Sequence, residues 1–261
     1  MNWVPAFAGT TKSVTGLLLD ISSLAIVAAL GIVGAVVGGI GGFGTGIILT
    51  AALAPLIGVK SVIPVLAVAG AIINGGRFWF YRASLDRRAL VLVLTCALPF
   101  LVLGTWIYSV LDARVIGLVL GIVVMLSVPL RRALNRRKIA LGRTGLGVGA
   151  SVFGLASGLT SGVGVILVSL LLGTGLSGQA VLATDALVSI ALDLCKAALF
   201  QRFALLDQQA AVTGVVIGVA TIPGSAIAAW LVNRMHAHLH VVFLEALILI
   251  GGVSLLWNSW R

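Results

Sequence analysis

Apolar runs of about 17 to 25 residues recur from Leu24 to Trp257, and each is long enough to cross a hydrocarbon core of roughly 30 Å. No other feature restricts the chain so strongly. Lipid offers no partner for backbone N–H and C=O groups, so a crossing segment must be a helix that satisfies its own backbone. Composition agrees: of 261 residues, 60% are hydrophobic and 9% charged, against about 25% charged in a soluble domain. The chain reads as an all-α polytopic membrane protein. Lys12 and Asp20 lead straight into the first run, with no cleavage site before a polar mature chain. Residues 1–20 read as a tail whose start codon is open, because MNWVPAFAGTTK resembles a translated intergenic repeat as much as a protein terminus.

A net charge of +10 would suit a nucleic-acid partner, but its placement argues against one. Six basic residues lie between Arg131 and Arg143 in RRALNRRKIALGR with no acidic residue among them, and Arg82, Arg87 and Arg88 form a second cluster. Short basic loops between spans mark the cytoplasmic face, with contact to anionic lipid headgroups a secondary role. Cys96 and Cys195 fall inside apolar segments, so no disulfide framework is implied.

Taking 131–143 as a cytoplasmic linker orders the rest. Spans over 114–130, 89–110 and 62–81 leave Leu24–Ile57, which as one helix would measure about 50 Å. That run contains GGIGGFGTG at 38–46, with six glycines in nine residues. A broken hairpin is therefore expected, one helix descending to the glycines and a short limb, Ile47–Ile57, returning. On the other side of the linker, Gly145–Thr160 reaches SGVG at 161–164, a short limb Val165–Leu172 follows, and spans over 180–200, 210–232 and 241–257 complete the chain. The halves align piecewise: GVKSVIPVLA from Gly58 with GLSGQAVLAT from Gly175, YRASLDRRA with QRFALLDQQA, and PFLVLGTW with PGSAIAAW. The expectation is two transmembrane repeats, 21–130 and 144–261, each a Gly-broken hairpin plus three spans, or about 8 to 10 membrane segments. Five segments per half invert the second repeat, whereas four continuous crossings would leave the halves parallel. Charge favours inversion, with ten Lys and Arg assigned to the cytoplasmic side and five opposite. Chance matching of Gly- and Ala-rich sequence is the alternative to a repeat.

Short, Gly-interrupted segments at corresponding positions of inverted repeats point to a transporter's binding site. A helix restarted inside the membrane presents free amides and a partial positive charge suited to an anion, and glycine lets a ligand approach the backbone closely. The candidate substrate-binding residues are Gly41, Gly42, Gly44, Thr45 and Gly46 in the first break, with Thr160, Ser161, Gly162 and Gly164 in the second. They are expected to face each other near the midplane around a small anion. The competing reading is close helix packing through small residues. No Lys-Ser/Thr pair follows the glycines, so a phosphate loop is not indicated.

Ionisable residues inside a span are functional suspects. Asp185 is the candidate ion-coupling residue, with a proton as the candidate coupling ion. Asp193, Lys196, Asn74 and Arg77 are possible charge partners. Asp193 and Lys196, three apart, can pair, while Lys196 and Arg77 are each expected to snorkel outward from near a helix end. His236, His238 and His240 lack an accompanying carboxylate or cysteine and read as a solvated loop, so no metal or other cofactor is expected. A serine enzyme needs a base beside its nucleophile, but the histidines sit together at one span end. An aspartyl enzyme needs two close carboxylates, and Asp185 and Asp193 lie about 12 Å apart along a helix. A non-transporting assembly subunit would explain the apolar mass but not the duplicated breaks.

In order, the glycine-broken segment, a G-[LV]-x-x-x-x-[AVP] stretch, a Tyr/Phe-Arg-x3-Asp corner and a proline-started span, present twice apart from small length differences (one more residue between Arg202 and Asp207 than between Arg82 and Asp86), resemble the sulfite exporter TauE/SafE family across residues 24–257. The resemblance implies a secondary transporter, exporting sulfite, organosulfonates or related small anions, coupled to an ion gradient and multi-pass in the bacterial inner membrane. Where the family often has Ala-Thr-Ser after the second break, this chain has Ala183-Thr184-Asp185, and the first half has Leu66-Ala67-Val68. Oligomeric state is left open.

Overall fold

The computed structural model describes residues 21–40, 45–136, 142–176, 178–232 and 253, and the regular structure among them is helical. In chain order the helices are α1 (Ile21–Ile40), α2 (Thr45–Ile57), α3 (Val59–Tyr81), α4 (Arg87–Val110), α5 (Ala113–Arg136), α6 (Arg143–Leu159), α7 (Gly164–Gly173), α8 (Gly178–Arg202) and α9 (Gln208–Val232), with a single 3₁₀ turn at Arg82–Ser84. The tail 1–20, Gly41–Gly44, the three histidines and the expected span 241–257 lie outside the described residues, apart from Val253.

Local chemistry explains several boundaries. Asp86 is extended, and its Oδ1 accepts the Ala89 N–H at 2.8 Å, starting α4. Asp207 Oδ1 accepts the Ala210 N–H at 2.7 Å at the start of α9. Both are side-chain N-caps that satisfy otherwise unpaired amides. Gly58 and Gly175 hold φ of +81° and +82°, turning the chain sharply after α2 and α7. Only glycine enters that region without steric cost. Two expected boundaries shift. The short limb of the first hairpin starts at Thr45 rather than Ile47. Helix α5 continues through Arg136, because Arg, Leu and Ala favour helix and no Gly or Pro interrupts 130–136.

Close contacts at small residues fix the helix directions. Gly154 packs on the Ala97 carbonyl, and a Cβ on Gly158 would lie 2.6 Å from the Leu101 oxygen, so α4 and α6 run parallel. Gly31 against Ile217 and Gly224 against Ile32 place α1 parallel to α9, and Gly214 against Val65 with Gly218 against Ile72 place α9 parallel to α3. Helices α3 and α8 are antiparallel, with Gly70 facing Asp193 and Arg77 facing Asp185. The Arg82–Arg88 corner therefore shares one end of the bundle with the starts of α6 and α8. There Ser84 Oγ lies 3.4 Å from Gln179 Oε1, and the Asp86 N–H donates to Thr184 Oγ1 at 3.3 Å. The opposite end holds Gly58, Leu111 and the 203–207 turn. Tyr108 ties it together, donating to the Val59 and Lys60 carbonyls (3.0 and 3.2 Å) and meeting the Phe200 ring edge-on at 5.3 Å.

The bundle buries apolar side chains such as Leu49, Leu101, Leu167 and Phe200, but it also carries many large apolar side chains outside. Phe100, Trp106, Val148, Val152, Val219 and Ile222 are exposed, while Thr50, Thr105, Asp185 and Lys196 are buried. A soluble domain distributes these types the other way; a broad exposed apolar surface belongs against lipid. Among the described residues, Val59–Ser84 and Arg87–Val110 are long and apolar enough to cross a membrane.

Candidate functional site

The two chain breaks meet. Ser161 and Gly162 separate α6 from α7, and Gly162 holds φ +83°. A Cβ on Gly46, in the first turn of α2, would lie 2.8 Å from Ser161 Oγ and 3.0 Å from the Gly162 nitrogen. A Cβ on Gly162 would collide with the Ile47 side chain and lie 2.8 Å from the Ile47 nitrogen. Gly46 and Gly162 thus press backbone against backbone. Thr50 Oγ1 donates to the Gly46 carbonyl at 2.7 Å, which steadies the first turn of α2. Thr160 is buried just before the second break, its hydroxyl 3.4 Å from the Ser161 carbonyl. Gly164 opens α7 in free space, where the nearest atom to a Cβ would be Asp185 Oδ1 at 4.0 Å. Gly41, Gly42 and Gly44 fall outside the described residues.

A cavity of about 720 Å³ lies against this junction. Thr45, Gly46, Ser161, Gly162 and Gly164 line it at the breaks, and Phe80 and Tyr81 line it toward the basic end. Packing glycines are a separate set: Gly104, Gly154, Gly158, Gly214 and Gly224 face neighbouring backbone away from the cavity lining.

Charged residues line the cavity between α3 and α8, and here two expectations need correction. Arg77 does not snorkel away: its Nη2 lies 3.1 Å from Asp185 Oδ2. Lys196 does not snorkel either, since its side chain is 4% exposed and its Nζ lies 2.9 Å from Asp193 Oδ1. Each cation turns inward because a carboxylate inside the bundle offers charge compensation that open cavity does not. Asn74 joins the pairs, accepting from Arg77 Nη1 at 3.2 Å and donating to Asp193 Oδ2 at 3.4 Å. The result is a continuous chain, Asp185–Arg77–Asn74–Asp193–Lys196. Gly70 makes room for it, because any side chain there would strike the Asp193 carboxylate. Asp185 Oδ1 is buried with no hydrogen-bond partner among the described residues. The sequence held one signal for the Arg77 pairing: Gly70, Asn74 and Arg77 recur at i, i+4 and i+7, a polar stripe on one helix face.

Among the described residues no group of three or more His, Cys, Asp or Glu could hold a metal ion. The geometry instead presents two helix starts, a largely apolar cavity with polar and charged groups in its lining, and a charge-balanced pair of ion pairs. A protein-family profile, Sulfite exporter TauE/SafE, matches residues 27–255. No curated protein and no solved structure matches the chain.

Proposed function

Because the chain belongs to the sulfite exporter TauE/SafE family, we propose that it exports sulfite or a related small organosulfur anion across the bacterial inner membrane, driven by an ion gradient. The anion binds in the cavity beside the two breaks, held by amides at the starts of α2 and α7 and by hydroxyls of Thr45 and Ser161. The observation that carries this reading is the meeting of Gly46 and Gly162 beside a cavity of about 720 Å³. Irregular backbone at membrane depth is tolerated where it is buried in protein or lines a polar cavity, and helix starts favour anions.

The architecture of the proposal is an inverted pair of repeats, 21–130 and 144–261, with about 8 to 10 membrane segments. Its support is the pairing of corresponding helices: α1 runs parallel to α9 as α6 runs parallel to α4, and α3 crosses α8 antiparallel. The capping aspartates Asp86 and Asp207, and Gly58 and Gly175 at φ near +80°, occupy matching places in the two halves. The basic end, with Arg82, Arg87 and Arg88, is cytoplasmic under the charge rule. Asp185 carries the coupling proton.

Radiolabelled sulfite flux in sealed vesicles of purified protein tests the reading. Protein-dependent flux that responds to an imposed pH gradient is expected. Flux no greater than in protein-free vesicles, with either orientation of the gradient, refutes it.

A further inference from the structure

We infer that Arg77 is the anion ligand of the cavity and that Asp185 stands in for the anion while the cavity is empty, so that one proton and one anion charge enter the site together. The inference rests on the transport reading above and adds to it the side chain that holds the substrate.

Three observations carry it. Arg77 is the cavity cation whose partner can be exchanged: it lines the cavity, keeps 32% of its side chain exposed, and lies 3.1 Å from Asp185 Oδ2. Lys196, by contrast, is 4% exposed and committed to Asp193 at 2.9 Å. The second oxygen of Asp185 is buried without a hydrogen-bond partner among the described residues, 4.0 Å from where a Cβ on Gly164 would sit, and both residues line the cavity. A buried ionised oxygen without a donor is costly, and a proton placed on Asp185 removes its charge. Finally, Arg77 and Lys196 balance Asp185 and Asp193, so the site is neutral when empty. An anion arriving beside an ionised Asp185 would leave one uncompensated negative charge in a low-dielectric cavity, which is strongly unfavourable.

The surroundings leave Asp185 and Arg77 to each other. Helix α7 carries no ionisable residue, and α6 carries none beyond Arg143 at its start. Asp86 of the α3–α4 corner caps Ala89, and its backbone N–H is directed to the Thr184 hydroxyl. Arg82 stacks on the Trp79 ring at 3.9 Å. Arg87 and Arg88 are exposed. On α8 itself, Asp193 is held by Lys196 and Asn74. The charge bookkeeping closes: Asp185 accepts one proton and becomes neutral, Arg77 keeps its charge, and a singly charged anion takes the place of the carboxylate. Release of the anion returns Arg77 to Asp185, which gives up the proton.

The test is sulfite binding to the purified full chain, with three proteins compared. Asp185→Asn frees Arg77 without requiring a proton, so it should bind sulfite more tightly than wild type. The ratio of the two affinities, in which sulfite's own protonation cancels, should climb toward tenfold per pH unit in the alkaline part of a scan from about pH 6 to about 9, since apparent affinity scales with the binding-competent fraction. Reconstituted Asp185→Asn should exchange sulfite for sulfite yet ignore a pH gradient. Arg77→Gln alone strands a buried carboxylate, so the deciding variant is Arg77→Gln/Asp185→Asn, which removes both charges and leaves two uncharged amides, the Gln shorter than the arginine it replaces. It should fold, as read by its melting transition, and bind sulfite about 10- to 100-fold more weakly than Asp185→Asn, the loss expected for a charge-assisted contact. A double variant that binds and moves sulfite as wild type does would show Arg77 to be only the counter-charge of Asp185 and would overturn the inference, as would an affinity ratio flat with pH. Wild-type vesicles that move no sulfite would refute the transport reading itself.

Discussion

Gly58 and Gly162 both hold a positive φ, +81° and +83°, but they do not share an environment. An alanine at either position costs about 1–3 kcal/mol for holding an L residue at a sparsely populated positive φ. At Gly58 nothing lies within 4 Å of the added Cβ, so the cost ends there. At Gly162 the methyl meets the Ile47 side chain and the Ile47 nitrogen at 2.8 Å. Because that nitrogen is backbone in the first turn of α2, relief requires moving the break itself, an overpacking cost of about 1–3 kcal/mol. Gly162→Ala should therefore be the more destabilised variant by that second amount, a difference of roughly 2 to 12 °C in apparent Tm for a chain of this size. It should also lose sulfite flux per folded molecule, because the two helix starts that flank the cavity are pushed apart. Gly58→Ala should keep its flux. Thermal melts in one detergent, paired with vesicle flux normalised to folded protein, read both quantities. Equal melting shifts and equal flux for the two variants would refute the assignment of the Gly46–Gly162 contact as what positions the cavity.

Gly164→Ala adds a methyl whose nearest neighbour is Asp185 Oδ1 at 4.0 Å; folding should change by no more than about 0.5 kcal/mol, while sulfite flux in vesicles falls several-fold. Asp193→Asn leaves Lys196 buried without its carboxylate and should destabilise the protein by about 3–5 kcal/mol, most of which returns in Asp193→Asn/Lys196→Met; melting curves of the two variants check this. For topology, single cysteines replacing Asp112 or Gln208 should react with an impermeant thiol reagent in intact cells, and one replacing Ala83 should not, in a background lacking Cys96 and Cys195. The reverse pattern would place the basic end outside.

Much of the helix layout was legible because its causes are local. Glycine density marked both interruptions, since a helix loses about 1 kcal/mol at each interior glycine. Asp86 and Asp207 stood in the sequence only as parts of two similar corner segments, and the structure shows each capping the next helix. The extension of α5 through Arg136 was missed because hydrophobicity ends before helical backbone does: a helix leaving the membrane can continue with charged residues facing water. The contact of Gly46 with Gly162 was not legible, and for the ion pair of Arg77 with Asp185 the sequence held only the spacing of Gly70, Asn74 and Arg77 on α3. Asn74 and Asp193 meet although 119 residues separate them, and such a meeting depends on how α3 and α8 cross, which neither segment encodes alone.

The pairing expected of Asp193 with Lys196 is found, but the expectation that Lys196 and Arg77 would snorkel weighed their places along the helix above the carboxylates within reach, and that is where it failed. Snorkelling is the cheapest outcome for a lone cation in a span, but neither cation was alone. Gly70, Asn74 and Arg77 form one polar stripe at i, i+4 and i+7; Asp185, Ser189, Asp193 and Lys196 form another at i, i+4, i+8 and i+11. Every one of these side chains or glycines lines the cavity. Two stripes of polar residues inside apolar spans cannot both face lipid, so they must face each other or water. Two cations and two carboxylates then sum to zero only if the stripes are read together. Neutrality, not the position of any one residue along its helix, is what turns Arg77 inward onto Asp185, and it makes α3 and α8 the pair between which a charged substrate has to be admitted.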